Sequence, residues 1–376
     1  MFGNLIFFIL ALLIIAFGLG TPLAPHGFAF GMAAYLATLA IIVVQNKLIQ
    51  GKKILAELEL LVFLFVYHFV FGADEALPDS NFLRALFSFC LYLAGLGIAY
   101  EKVSHIRVLF PLAIPFLAIL GLFDLVAPTD SLALTLLGTM LFTFIILAFL
   151  PLILRKIWKI KPLEDKELEA GLEAVCQKLR FVHGGIGTWT VMNHMLTAAI
   201  IGIIPKFRYV MFSQKLIDSL STEQLEAILT HEIAHSKYKH LWIYPFLIFA
   251  MIIIIVSIPL ENFSNMTMLI FYAIIMATYV RIVMGYFSRI FERQADLYVI
   301  KTGMDPDHMI GALDKIGILT GNSHKTPNWH HYSIHQRIEA LERAKKDPDS
   351  IRRHSKKVWA SVAIFFSIIL LVGALL

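Results

Sequence analysis

The chain has 376 residues, of which 58% are hydrophobic and only 16% charged, with a formal net charge of +5 at pH 7 and a mean hydropathy of +0.75. This composition excludes a soluble globular protein and makes the lipid bilayer the first expected partner. Its excess positive charge lies in loops beside apolar runs, not in a basic stripe interleaved with aromatics, so no nucleic-acid partner is expected.

Nine apolar runs, near residues 4–20, 28–46, 54–72, 82–100, 108–127, 132–154, 241–260, 266–288 and 357–376, are long enough to cross about 30 Å of hydrocarbon as helices. The first lacks a basic leader and a small-residue cleavage site, and reads as a retained helix. Lys47, Lys52 and Lys53 follow the second run, Lys102 and Arg107 the fourth, and Arg155, Lys156, Lys159 and Lys161 the sixth. Asp74, Glu75 and Asp79 follow the third, Asp130 the fifth and Glu261 the seventh. Basic loops stay cytoplasmic, so the amino terminus and the polar segments 155–240 and 289–356 are expected there, with the carboxyl terminus on the opposite side. The predicted order is a six-helix membrane region over 1–154, a cytoplasmic part over 155–240, a membrane hairpin over 241–288, a second cytoplasmic part over 289–356 and a final span over 357–376. The basic run Arg352 to Lys357 would anchor that span against anionic headgroups.

Charge inside a span is costly. Glu57, Glu59, Arg84 and Asp124 fall near the ends of their runs, and are expected to snorkel to the interface. Cys90 lies in an apolar run and Cys176 in a cytoplasmic helix, so neither a disulfide nor a zinc finger is expected.

Within the first cytoplasmic part, Ser221 followed by Gln224 is a capping box that opens a helix. Leu225, Ile228, Leu229 and Ile233 recur at helical spacing and predict its buried stripe. On this helix stands His231-Glu232-Ile233-Ala234-His235. Residues four apart share a helix face, so His231 and His235 can present two imidazoles to one zinc ion with Glu232 beside it. A hydrolytic zinc site needs a third protein ligand. The metzincin positions hold Tyr238 and Leu241, and His240 reads as an interfacial residue at the mouth of the seventh span. A glutamate on a second helix, Glu292, is the remaining candidate, and Asp296 one turn later can accept the far ring N–H of a ligating histidine. The competing reading pairs Glu292 and Asp296 with Arg289 and Arg293 on a solvated face. Arg281, two turns inside the eighth span, would face a wet cavity leading to the metal or a structural ion pair.

The HExxH, the ExxxD of Glu292 and Asp296, the hairpin between them and the later stretch His331 to Ile338 occur in the order of a known family. In these features the chain resembles the HtpX-like membrane metallopeptidases, which include the CaaX prenyl proteases; the resemblance covers roughly residues 165 to 345. Tyr332 stands where that family usually has proline. The resemblance implies one Zn2+ per chain held by His231, His235 and Glu292, Glu232 as general acid–base, and His331 and Arg337 stabilising the intermediate or holding Asp296 and Glu292. Residues 207–213 and 188–201, rich in aromatic and β-branched types, suggest a short sheet. By resemblance its edge strand would bind the substrate backbone at Thr197 and Ala198, where the family has Asn-Ala. The expected fold is therefore mainly α and polytopic, with about nine transmembrane helices and a cytoplasmic α+β zincin-like domain. The expected function is zinc-dependent endopeptidase activity at the cytoplasmic membrane face on a membrane-associated protein or peptide substrate, in quality control of membrane proteins; a CaaX-type prenyl protease and an inactive zinc-binding scaffold are the alternatives.

Overall fold

Apolar runs without competing polar partners fold as helices, because in hydrocarbon every backbone N–H and C=O must be satisfied within its own segment. The computed structural model describes residues 8, 10–12, 14, 15, 27–48, 53–101, 103–125, 131–258, 265–326 and 331–374. Most of the first predicted run, and the loop charges Asp130 and Glu261, lie outside these residues. The chain separates into two units, Met1–Leu147 and Ala148–Leu376.

In the first unit, α1 (Phe28–Leu48), α2 (Lys53–Phe65, continued by a π turn over Val66–Val70), α3 (Asn81–Tyr100) and α4 (Val103–Leu125) precede α5 (Leu132–Ile157), which runs on into the second unit. Gly95 lets α3 approach α2 closely, since a Cβ there would stand 2.3 Å from Leu60 Cδ2. For Glu57 the snorkelling expectation is corrected by its burial, and the other charges find partners close to the ends of their helices. Glu57 is 1% exposed and accepts a hydrogen bond from the Tyr100 hydroxyl, while Glu59 accepts from the Gln45 amide. Asp124 caps α3, accepting from the Ser80 hydroxyl at 2.7 Å and the Asn81 and Phe82 N–H groups at 3.0 and 2.8 Å. Arg84 pairs with Asp79 at 3.3 Å. For Glu57 an adjacent helix thus supplies the partner that water would otherwise provide.

The second unit holds a four-stranded sheet in the order β1–β2–β4–β3, built from β1 (Ile160–Pro162), β2 (Gly185–Trp189), β3 (Ala198–Ile201) and β4 (Tyr209–Phe212). The β2–β4 pair is parallel and the other two are antiparallel. Helix α6 (Lys166–Lys178) lies between β1 and β2, and α7 (Gln214–Ser219) leads into α8 (Thr222–Lys237). Leu225, Ile228, Leu229 and Ile233 of α8 are buried in one core with Leu172, Phe212 and Leu313, which is the stripe expected from spacing. Helix α9 (His240–Val256) follows α8 after a 52° bend. The bend is made at Lys239, whose φ of 62 is left-handed. Beyond residue 264, α10 (Asn265–Tyr279), a π turn (Val280–Met284) and α11 (Gly285–Lys301) run consecutively, then α12 (Pro306–Leu319), α13 (Ile334–Lys346) and α14 (Asp349–Ala374).

Among the described residues five helices are long and apolar enough to span a membrane, or six if the bent α8–α9 pair counts as one. The chain is a polytopic, mainly helical membrane protein, and the count of nine is not reached among these residues. Arg281 lies in the π turn with its side chain exposed.

Candidate metal centre

The capping box forms as read: Ser221 Oγ accepts from the Gln224 N–H at 3.3 Å, and Gln224 Oε1 accepts from the Ser221 N–H at 3.1 Å. It starts α8 in the register that puts His231 and His235 one turn apart on a single face, opposite Glu292 of α11. Among the described residues these three form a cluster whose ligand atoms all lie within 4.8 Å of one another. The two Nε2 atoms are 3.3 Å apart; His231 Nε2 is 3.6 Å from Glu292 Oε2 and His235 Nε2 is 3.4 Å from Glu292 Oε1. A tetrahedral ion with bonds of about 2.0–2.1 Å holds its ligand atoms about 3.3 Å apart. The triangle therefore has the size of one tetrahedral face, and its two-nitrogen, one-oxygen donor set suits zinc.

Charge points the same way. Burial alone would lower the His231 ring, but Asp296 and Glu292 push it up to about 10, so the pocket draws positive charge to this spot. Burial, helped by the neighbouring His231, takes His235 down to about 4 against the pull of Glu292, leaving a neutral ring able to ligate. Burial also raises Glu232, to about 7, with His231, Arg337 and the Ile200 N–H opposing it and Glu292 adding to it. A carboxyl near neutrality can both take and return a proton.

Each imidazole is held from behind. His231 Nδ1 lies 2.9 Å from Asp296 Oδ1, and Asp296 is gripped by Arg337 through two hydrogen bonds, from Nε at 2.9 Å and Nη2 at 2.6 Å. Burial would raise the Asp296 carboxyl, but Arg337 and His231 hold it at about 2. His235 Nδ1 lies 3.1 Å from Nδ1 of His240, whose Nε2 is 2.9 Å from Gln294 Oε1. Gln294 in turn donates to Ser355 Oγ at 3.2 Å, and the His240 ring stacks on Phe291 with centroids 4.2 Å apart. With the Gln294 oxygen facing His240, the proton order follows: His240 Nε2 donates, its Nδ1 accepts, His235 Nδ1 donates, and His235 Nε2 is left as a lone pair. His240 is fully buried, which corrects its reading as an interfacial residue. The left-handed Lys239 folds the start of α9 back against α8, and no glycine or proline announces that turn.

Residues 162–345 match the sequence model of peptidase family M48. Over this stretch, just under half of the chain, the sequence is similar to peptidase family M48. No curated protein matches it in sequence. The crystal structure of S. mikatae Ste24p is similar in fold, with a TM-score of 0.56 at 18% identity, covering 88% of this chain and 98% of that one. The family match and the shared fold together support a membrane metallopeptidase of the HtpX-like and CaaX protease kind.

In this region, β3 is one of the two edge strands of the sheet. The main chain of Thr197 is occupied: its carbonyl accepts from the Ser213 N–H at 2.9 Å and its N–H donates to Ser213 Oγ at 3.2 Å. Hydrogen-bonded pairs alternate along antiparallel strands, so Ala199 and Ile201 face β4 while the main-chain groups of Ala198 and Ile200 point to the open edge. The Ile200 N–H does bond the Glu232 carboxylate. Of the two residues assigned to substrate by resemblance, Ala198 presents its backbone to that edge and Thr197 does not. His331, about one-third exposed, places Nδ1 3.1 Å from Glu292 Oε2. Arg337 Nη2 is 4.0 Å from the same oxygen, and the two close hydrogen bonds of Arg337 go to Asp296. The close side-chain partners of Glu292 and Asp296 are His231, His235, His331 and Arg337. The Arg293 guanidinium instead lies 4.0 Å over the ring of Tyr332, the residue replacing proline.

Proposed function

We propose that this protein is a zinc-dependent endopeptidase that hydrolyses peptide bonds at the cytoplasmic face of the membrane, in quality control of membrane proteins. The observation carrying this reading is the tetrahedral-sized triangle of His231, His235 and Glu292 with Glu232 and an open strand edge beside it. The alternating loop charges support the orientation, with the amino terminus on the same side as the site.

When bound through His231, His235 and Glu292, zinc would lower the pKa of a water to about 7 and polarise the scissile carbonyl. The substrate pairs its backbone with the outward-facing groups of Ala198 and with the Ile200 carbonyl by strand addition. Glu232 takes the proton of the attacking water and later returns it to the leaving amine. Asp296, clamped by Arg337, and His240 keep the two imidazoles in the tautomer that aims Nε2 at the ion. His331, one-third exposed and 3.1 Å from Glu292 Oε2, is assigned the stabilising of the oxyanion by its resemblance to the family.

The test is Glu232→Gln in the purified full chain: zinc content stays at one per chain while cleavage of casein or an unfolded membrane protein is lost. Turnover close to that of the unmodified protein would refute the assignment. A prenylated CaaX peptide assayed in parallel separates substrate classes, since preferential cleavage of that peptide would replace the quality-control reading.

A further inference from the structure

A cleft of about 590 Å³ opens between α11, α13 and the beginning of α14. Arg293, Arg343, Lys346, Arg353 and Lys357 line it with a single acid, Asp347. Asp347 is taken up by an ion pair with Arg353, which leaves a concave surface of strong positive charge. Such a wall of like charges repels itself unless an anion lies within it.

Its position says which anion. Lys357 is followed by Val358 and by Trp359, which is 43% exposed, and from there α14 runs apolar to its end within the candidate span Asp349–Ala374. A tryptophan next to lysines at the start of an apolar helix marks the headgroup level of a bilayer. The cleft therefore opens where lipid phosphates lie. On its inner wall, Arg293 is fixed in place by the Tyr332 ring and by donating from Nη2 to the Gln336 carbonyl at 3.2 Å. Its Nε is buried with no partner among the described residues. A held guanidinium with a spare donor suits a phosphate oxygen.

We propose that this cleft is a binding site for the phosphate headgroup of an anionic phospholipid. Diffuse attraction would depend only on the number of basic residues near the surface, whereas a cleft depends on which ones are removed.

Native mass spectrometry of the full chain, released from nanodiscs of phosphatidylcholine with or without phosphatidylglycerol, tests this. The unmodified protein should retain phosphatidylglycerol in preference to phosphatidylcholine, and absence of that preference overturns the proposal without need of a variant. Taking each cation that faces the headgroup from within the cleft as worth roughly fivefold in affinity, Arg343→Gln with Lys357→Gln should weaken retention about 25-fold. Arg352→Gln with Lys356→Gln removes the same amount of charge from outside the cleft lining, and should weaken retention far less. Equal losses in the two double variants would show diffuse attraction and overturn the proposal. Glycerol phosphate and inorganic phosphate, added to phosphatidylcholine nanodiscs, should not bind at the concentrations where phosphatidylglycerol does. If they do, the cleft serves a soluble phosphate and the lipid assignment falls. Metal content of each variant, read alongside, reports that the peptidase domain is folded.

Discussion

His240 Nδ1 lies 3.1 Å from Nδ1 of His235, on the side of the ring away from Glu292. One imidazole thereby orients another, and Gln294 and Ser355 carry the chain of hydrogen bonds on to α14. A ligating histidine whose second nitrogen has lost its partner rotates more freely and binds metal less tightly. His240→Phe keeps a ring against Phe291 but removes the acceptor. We expect zinc affinity, measured by chelator competition, to fall about 10- to 100-fold while the thermal transition of the metal-free protein moves little. Unchanged affinity would assign His240 to packing alone.

The Arg337–Asp296 pair is the second support. Arg337 is 14% exposed and Asp296 1% exposed, so Arg337→Ala leaves a buried carboxylate uncompensated. A loss of about 3–5 kcal/mol in unfolding free energy is expected. Arg337→Lys, which carries the charge without the two-pronged geometry, should recover part of it. Chemical denaturation in detergent reads both, and equal stability of the alanine variant and the parent would contradict the pairing.

Strand polarity predicts a contrast between neighbours. Proline lacks an N–H and is tolerated on an edge strand only where that N–H faces outward. Ala198→Pro should fold, retain metal and raise KM for peptide substrates. Ala199→Pro, whose N–H faces β4, should destabilise the domain. The opposite pattern would reverse the assigned register.

Cys176 is 1% exposed, and burial, with the charge of Glu173, pushes its thiol up to about 12. At pH 8 it carries almost no thiolate, so iodoacetamide should leave it unlabelled in the folded protein and modify it after unfolding. The sign for stability follows: the unfolded thiol loses its proton above about 8.5, so the fold loses stability as pH rises from there toward 12. Rapid native labelling at pH 8 would contradict the buried placement.

Membrane class, the start of α8 at Ser221, its buried stripe and the two same-face pairs His231/His235 and Glu292/Asp296 were legible in the sequence by itself. Each depends on composition or on a spacing of three or four residues within one helix, and helical periodicity is a property of the local backbone. Only the tertiary structure decided what those residues meet. Tyr100 is 43 positions from Glu57 and Arg337 is 41 from Asp296, so no periodicity links them. His240 turns inward through a left-handed Lys239 that carries no turn signal, and the outward-facing backbone of Ala198 and Ile200 follows from pairing with a distant strand, β4. Side-chain patterns say which face of an element is buried; which partner lies across that face is set by how separate elements pack.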